Sequence, residues 1–153
     1  MLSYEFRLYP NQIGRFGLER SLEFCRQAYN FLLGKLNQQS LAGKIDVGAI
    51  KHSIVELKYL NPEFNEVYSK ALQPECDRLF SNLCSLSALK RKGKKVGALR
   101  FKGRDWFKTF SYNQSGFWLE MLKGKKGVLH LSKIGGIKIR VHRQVEGKIK
   151  QVT

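Results

Sequence analysis

The chain has 153 residues, enough for one domain or two small ones, and 42% of them are apolar, which excludes a wholly disordered tail. Its formal net charge is +16, placed very unevenly. Residues 1–89 hold ten Lys/Arg against nine Asp/Glu, whereas residues 90–153 hold eighteen against three, a net of +15 whose self-repulsion calls for a polyanionic partner.

In chain order, Leu2, Tyr4, Phe6 and Leu8 alternate with Ser3, Glu5, Arg7 and Tyr9, the pattern of a strand over residues 2–9. Glu5 and Arg7 interrupt any secretory signal. No run approaches the ~18 apolar residues of a membrane span. Pro10 ends the strand, and Asn11 is a good N-cap for a long helix reaching about Gln38. Its apolar stripe is Leu18, Leu22, Cys25, Tyr29, Leu32 and Leu36. After a loop at 39–45, Asp46 caps a second helix with Val47, Ile50, Ile54 and Leu57 inward, broken by Asn61-Pro62. A third helix carries Leu72, Cys76, Leu79, Leu83 and Leu86, and Pro74 implies a start near Gln73 or a kink there. The three stripes can bury one another as a small bundle. Cys25, Cys76 and Cys84 all fall in helical patterns without a CxxC pair, which predicts buried free thiols.

The character changes at the basic turn Lys90-Arg91-Lys92-Gly93-Lys94-Lys95. Short strands are expected at 107–112, 117–121, 128–131, 137–141 and 148–152, separated by Gly, Asn and Ser. In Ile137-Lys138-Ile139-Arg140-Val141 the apolar residues face inward and the cations outward. Strands at this spacing suggest a small barrel or sandwich. The N-terminal strand has no partner among the helices and is expected to join this sheet, making the helices an insertion.

From Leu99 to Tyr112 cations interleave with aromatic rings. Cations meet phosphate oxygens, and rings either stack on unpaired bases or pack inward. Phe101, Phe107, Phe110 and Tyr112 are expected mostly in the core, and Trp106, beside Asp105 in a turn, is the better stacking candidate. No catalytic pattern emerges: His52, His130 and His142 lack ligand spacing, and there is no Walker loop or GxSxG. Gly135-Gly136 leads into a strand and reads as a tight turn. Glu19 and Glu23, beside Arg15, Arg20 and Arg26, read as helix salt bridging. The reading is therefore a binding protein that is not an enzyme on this chain alone, with no cofactor and no metal site.

Several segments resemble a known family. Tyr4-Glu5-Phe6-Arg7-Leu8-Tyr9-Pro10-Asn11 resembles the start of TnpB proteins, the OrfB-type accessory proteins of bacterial and archaeal insertion sequences. Cys25-Arg26-Gln27-Ala28-Tyr29-Asn30 is similar to their first-helix pattern, and Ser69-Lys70-Ala71-Leu72-Gln73 with Asp77-Arg78-Leu79-Phe80 to their third. Arg100-Phe101-Lys102 resembles their Pro-Arg-Phe-Lys box, with Leu99 in place of the proline, and Phe110-Ser111-Tyr112 follows. Leu131 to Gly135 and Gly147 to Thr153 resemble the closing segments.

The resemblance implies an α+β fold: a small, wedge-like, OB-like β-barrel with an inserted three-helix lobe. Residues 1–10 would supply its first strand, 11–92 the helical recognition lobe, and 93–153 the remaining basic barrel. It implies binding of a guide RNA and target DNA in a prokaryotic cytoplasm, near the nucleoid, with no membrane. The family's nuclease carboxylates and zinc-binding domain would lie beyond Thr153. The expected nucleic-acid contacts are Arg7, Lys90, Arg91, Lys92, Lys94, Lys95, Arg100, Lys102, Arg104, Trp106, Lys108, Arg140, Arg143 and Lys148. Two other readings are a helix-turn-helix-like protein acting on transposon-end DNA and a repressor lacking nuclease activity. A working endonuclease would need carboxylates from a partner or a continuation of the gene.

Overall fold

The computed structural model describes residues 2–113 and 115–153. The first strand, β1, covers only Arg7–Tyr9. Residues 3–6 alternate between exposed and half-buried, while Leu2, expected on the inner face, is exposed; the strand that pairs with β1 ends opposite Arg7, so these residues have no ladder to join. Helix α1 (Gln12–Leu41) begins where Asn11 Oδ1 accepts from the Gly14 N–H at 2.8 Å. Cys25, Tyr29, Leu32 and Leu36 of its stripe are buried, and Leu18 and Leu22 are half-buried. Helix α2 (Val47–Leu60) is capped by Asp46, whose Oδ1 accepts from the Ala49 N–H at 3.0 Å. Ile50, Ile54 and Leu57 are buried, while Val47, expected inward, is exposed in the first turn. A 3-10 turn at Pro62–Glu66 turns the chain and inserts Phe64 edge-on to Phe24, with ring centroids 4.6 Å apart.

Helix α3 (Ser69–Arg91) starts four residues before Gln73 and carries Pro74 inside it. Its packed face is Ala71, Leu72, Cys76 and Leu79, with Leu83 and Leu86 half-buried. Cys25 and Cys76 are buried thiols, as expected, but Cys84 is exposed because it stands off that stripe. Lys90 and Arg91, expected in a turn, form the last turn of α3, where cations complement the helix dipole.

Beyond the helices the chain forms β2 (Tyr112–Asn113), β3 (Phe117–Met121), β4 (Lys126–Leu131), β5 (Gly135–Arg140) and β6 (Gln151–Val152). Among the described residues these make an antiparallel sheet in the order β1-β5-β4-β3 and a separate β2-β6 pair. The N-terminal strand thus joins the sheet, as expected, with Arg7 opposite Arg140 and Tyr9 opposite Lys138. Among the described residues the OB-like barrel that the resemblance implies does not close. The inner face is covered instead by α1: a Cβ on Gly17 would stand 3.1 Å from Ile134, and one on Gly14 3.6 Å from Ile137. Helix and sheet side chains share one core, in which Leu129, Leu131, Ile137 and Ile139 join Cys25, Tyr29 and Leu72.

The segment expected as a strand at 107–112 runs irregularly up to Tyr112. Arg78 of α3 takes the Thr109 carbonyl at 3.1 Å and its hydroxyl at 3.1 Å, and lies over the Phe107 ring at 5.0 Å. Up to Thr109 the segment is therefore tied to a helix, and Tyr112 at its end pairs with Val152 of β6. Tyr68 stacks on Tyr112 with centroids 5.2 Å apart and meets the Ser115 hydroxyl at 2.9 Å. Gly116 lies against that ring at φ +83, and a Cβ there would stand 2.3 Å from Tyr68 Cε1. Gly116→Ala is expected to lower stability by about 2 kcal/mol or more, read by thermal unfolding, through both left-handed strain and steric conflict.

Glu75 is fully buried among apolar side chains of α3. Arg78 Nη1 stands 3.3 Å from its Oε2, and among the described residues the carboxylate accepts no hydrogen bond. Burial pushes its pKa up from 4.5 to about 7, against the pull of Arg78. The folded chain keeps a proton that the unfolded chain has released, so stability falls as pH rises from 4.5 to about 7. Glu75→Gln is expected to raise stability at pH 8 by about 1–3 kcal/mol and to change it little at pH 5, as measured by melting at both pH values.

Candidate nucleic-acid interface

The alternation of the sheet sorts its side chains cleanly. Leu129, Leu131, Ile137 and Ile139 point to the core, whereas Arg7, Tyr9, Lys126, Lys138 and Arg140 are exposed on the outer face. The register sets Arg7 opposite Arg140, and Arg140 opposite Lys126, so three cations form one row across β1, β5 and β4. Like charges directly opposite one another in an antiparallel pair are destabilising. Among the described residues none of these three has an ion-pair partner. Arg7 lies 5.6 Å over the Tyr9 ring, and Tyr9 pairs with Lys138. At the opposite corner of the face Trp118 pairs with His130.

A second basic element is the loop carrying Arg100, Lys102, Arg104 and Trp106. It is held to α1 through the backbone of Lys102. Asn30 Oδ1 accepts from the Lys102 N–H at 2.7 Å, while Asn30 Nδ2 and Arg26 Nη1 donate to the Lys102 carbonyl at 3.0 and 2.9 Å. Arg26 is itself gripped by Glu23 at 2.6 and 2.9 Å. These bonds, with Arg104 nearby at 3.5 Å, hold the Glu23 carboxyl down to about 2. The loop backbone is thereby pinned while its ends project: Arg100 is exposed, Phe101 is 60% exposed and Trp106 is 85% exposed. The expectation that the rings of this segment mostly face inward holds for Phe107 and Tyr112, with Phe110 half-buried, and fails for Phe101. Arg104–Trp106 is a single 3-10 turn, which explains why Trp106 stands clear.

Lys90, Lys94 and Lys95 stand at a third location, lining a groove of about 600 Å³ that also includes Leu36, Leu83 and Leu86. Arg91, Lys92, Lys108, Arg143 and Lys148 are all exposed. Of the expected contacts, the sheet register brings together Arg7 and Arg140. The loop brings together Arg100, Lys102, Arg104 and Trp106, and the end of α3 brings together the lysines from Lys90 to Lys95. Tyr9, Trp118, Lys126 and Lys138 were not among the expected contacts. The same every-second-residue spacing that selects Arg7 and Arg140 also selects Tyr9 and Lys138, whereas Trp118 and Lys126 join the face only through cross-strand register.

Among the described residues no three His, Cys, Asp or Glu side chains converge as a metal site would require. Among them, too, no helix is long and apolar enough to cross a membrane. His142 follows β5 and meets Phe6 edge-on at 5.2 Å.

An α+β frame with a cation-bearing open sheet is the class that this geometry defines. Residues 1–43 match the family model HTH_OrfB_IS605, described as a helix-turn-helix domain. The N-terminal region is accordingly of the OrfB/TnpB insertion-sequence type. No curated protein matches the chain. Within residues 2–43 the fold contains β1 and the single helix α1, and the next helix begins at Val47.

Asn30→Ala would leave the Lys102 N–H without its partner and its carbonyl with Arg26 alone. The expected loss is about 1–3 kcal/mol in thermal unfolding. Trypsin cleavage after Arg100, Lys102 and Arg104 is expected to accelerate, and equal cleavage rates in variant and wild type would show that the latch does not hold the loop.

Proposed function

We propose that this chain is the nucleic-acid-binding N-terminal part of a TnpB-like, transposon-encoded, RNA-guided DNA endonuclease. It would grip guide RNA and target-adjacent DNA mainly through phosphate contacts. In this reading the nuclease chemistry is supplied outside these 153 residues, and the chain itself contributes binding. The observation that carries it is the row Arg7, Arg140 and Lys126, three like charges in register with no ion-pair partner among the described residues. A phosphate backbone relieves such a row and releases counterions. The projecting Arg100 and Trp106 and the lysines at the end of α3 extend the contact. The family match over residues 1–43 and the net charge of +15 in residues 90–153 support the same reading.

The description of that match as a helix-turn-helix domain favours a second reading, in which the helices read transposon-end DNA. A recognition helix presents cations to the major groove. Residues 1–89 are near neutral, and α1 is one continuous helix of 30 residues, so the first reading accounts for more of the molecule.

Titration of a folded RNA and of duplex DNA over a salt series tests the proposal. If about six phosphates are contacted, log affinity should fall with log salt with a slope of about −5 on duplex. Arg7→Ala with Arg140→Ala should weaken binding and reduce that slope by about two. A salt-independent affinity would overturn the electrostatic account. Tighter binding to transposon-end duplex than to folded RNA would favour the helical reader.

A further inference from the structure

Trp118 lies on the outer face of β3, 59% exposed although it is the largest side chain of its strand. Its ring is stacked on His130 with centroids 4.4 Å apart and planes 5° from parallel. His130 is steadied at its ring edge, where Nε2 meets Glu120 Oε2 at 2.9 Å. Gly136, the partner of His130 on β5, leaves space for the imidazole: a Cβ there would stand 3.3 Å from both His130 Cε1 and Nδ1, and 2.9 Å from Val128. One face of the indole is thus covered by a held imidazole. The opposite face points off the sheet, because β3 is an edge strand in the order β1-β5-β4-β3.

We propose that Trp118, backed by His130, is a stacking platform for an unpaired base of single-stranded RNA whose phosphates follow the cations of the same face. This rests on the nucleic-acid-binding reading above and gives it a ligand class and a site. The geometry supplies both halves of the recognition. An aromatic face accepts any base, and cations beside it take the backbone. From the strand spacing and rise, Lys138 lies roughly 12 Å and Arg140 roughly 16 Å from Trp118 across the face, a reach of a few nucleotides. The face is complementary in charge, since its acid Glu120 is engaged by His130 while Lys126, Lys138 and Arg140 are unpaired among the described residues. RNA is favoured over DNA because its loops, bulges and ends present unstacked bases that a duplex conceals.

The chain has two tryptophans, so Trp106→Phe leaves Trp118 as its own fluorescent reporter. In that protein a short oligouridylate should quench the emission, and an abasic strand of equal length should not. In the otherwise unaltered chain, Trp118→Ala should weaken oligouridylate binding about ten-fold with the salt slope unchanged, since a ring and no phosphate contact is lost. Trp118→Phe, which keeps a ring, should recover most of the affinity. Helical circular dichroism confirms that each variant is folded. Equal affinity of the abasic strand, with no loss in Trp118→Ala, would overturn the platform while salt-dependent binding persisted. Tighter binding of oligothymidylate than of oligouridylate would overturn the assignment to RNA. Absence of salt-dependent binding to every strand and duplex would overturn the underlying reading as well.

Discussion

Asn30 accepts from the Lys102 N–H with its amide oxygen and donates from its amide nitrogen to the Lys102 carbonyl, and that pair fixes the basic loop to the helices. Arg26 adds a charged bond to the same carbonyl, and Arg78 repeats the device at Thr109. Each is a side chain of a helix occupying the backbone of a segment that would otherwise seek strand partners. Backbone groups must be satisfied somewhere, and here the helices satisfy them. The consequence runs outward through the structure. Residues 100–110 lie along α1 and α3, and Arg100, Arg104 and Lys108 face solvent from a backbone held at Lys102 and Thr109.

The distribution of charge follows the same division. In the helical half the acids are used locally: Arg20 pairs with Glu66, Lys35 with Glu56 and Lys51 with Asp77, joining neighbouring elements. Exposed pairs of this kind contribute little to stability individually. Across residues 1–89 ten Lys/Arg stand against nine Asp/Glu, so little charge is in excess there. The sheet has no comparable supply of acids, since residues 90–153 contain only Asp105, Glu120 and Glu146, and Glu120 is engaged by His130. The cations of the outer face therefore confront one another. Burial of the inner face in the shared core offsets that repulsion.

Much of this was legible beforehand. Asn11 and Asp46 announced their helices because a short acceptor side chain before an apolar period has one good use. The step at Lys90, from near neutrality to a large positive excess, was visible by counting. The alternation through Ile137 to Val141 told inside from outside. Less legible were the edges: β1 is shorter than its pattern because a strand extends only as far as its partner does, and Lys90 and Arg91 belong to a helix because its last turn extends two residues into the basic run. The motif containing Arg26 and Asn30 was visible as a pattern, but its task of holding Lys102 was not, since the two are separated by more than seventy residues.

Local order, then, was written in the chain: the caps, the helical stripes, the strand alternation and the charge asymmetry all follow from short-range stereochemistry and composition. Tertiary structure alone decided that the sheet remains open, that Arg7 faces Arg140, that Trp118 rests on His130, and that Glu75 is sealed in the core. Register and burial depend on which distant segments meet. Those meetings are set by the summed packing of the whole core, in which no single residue's preference is large enough to prevail.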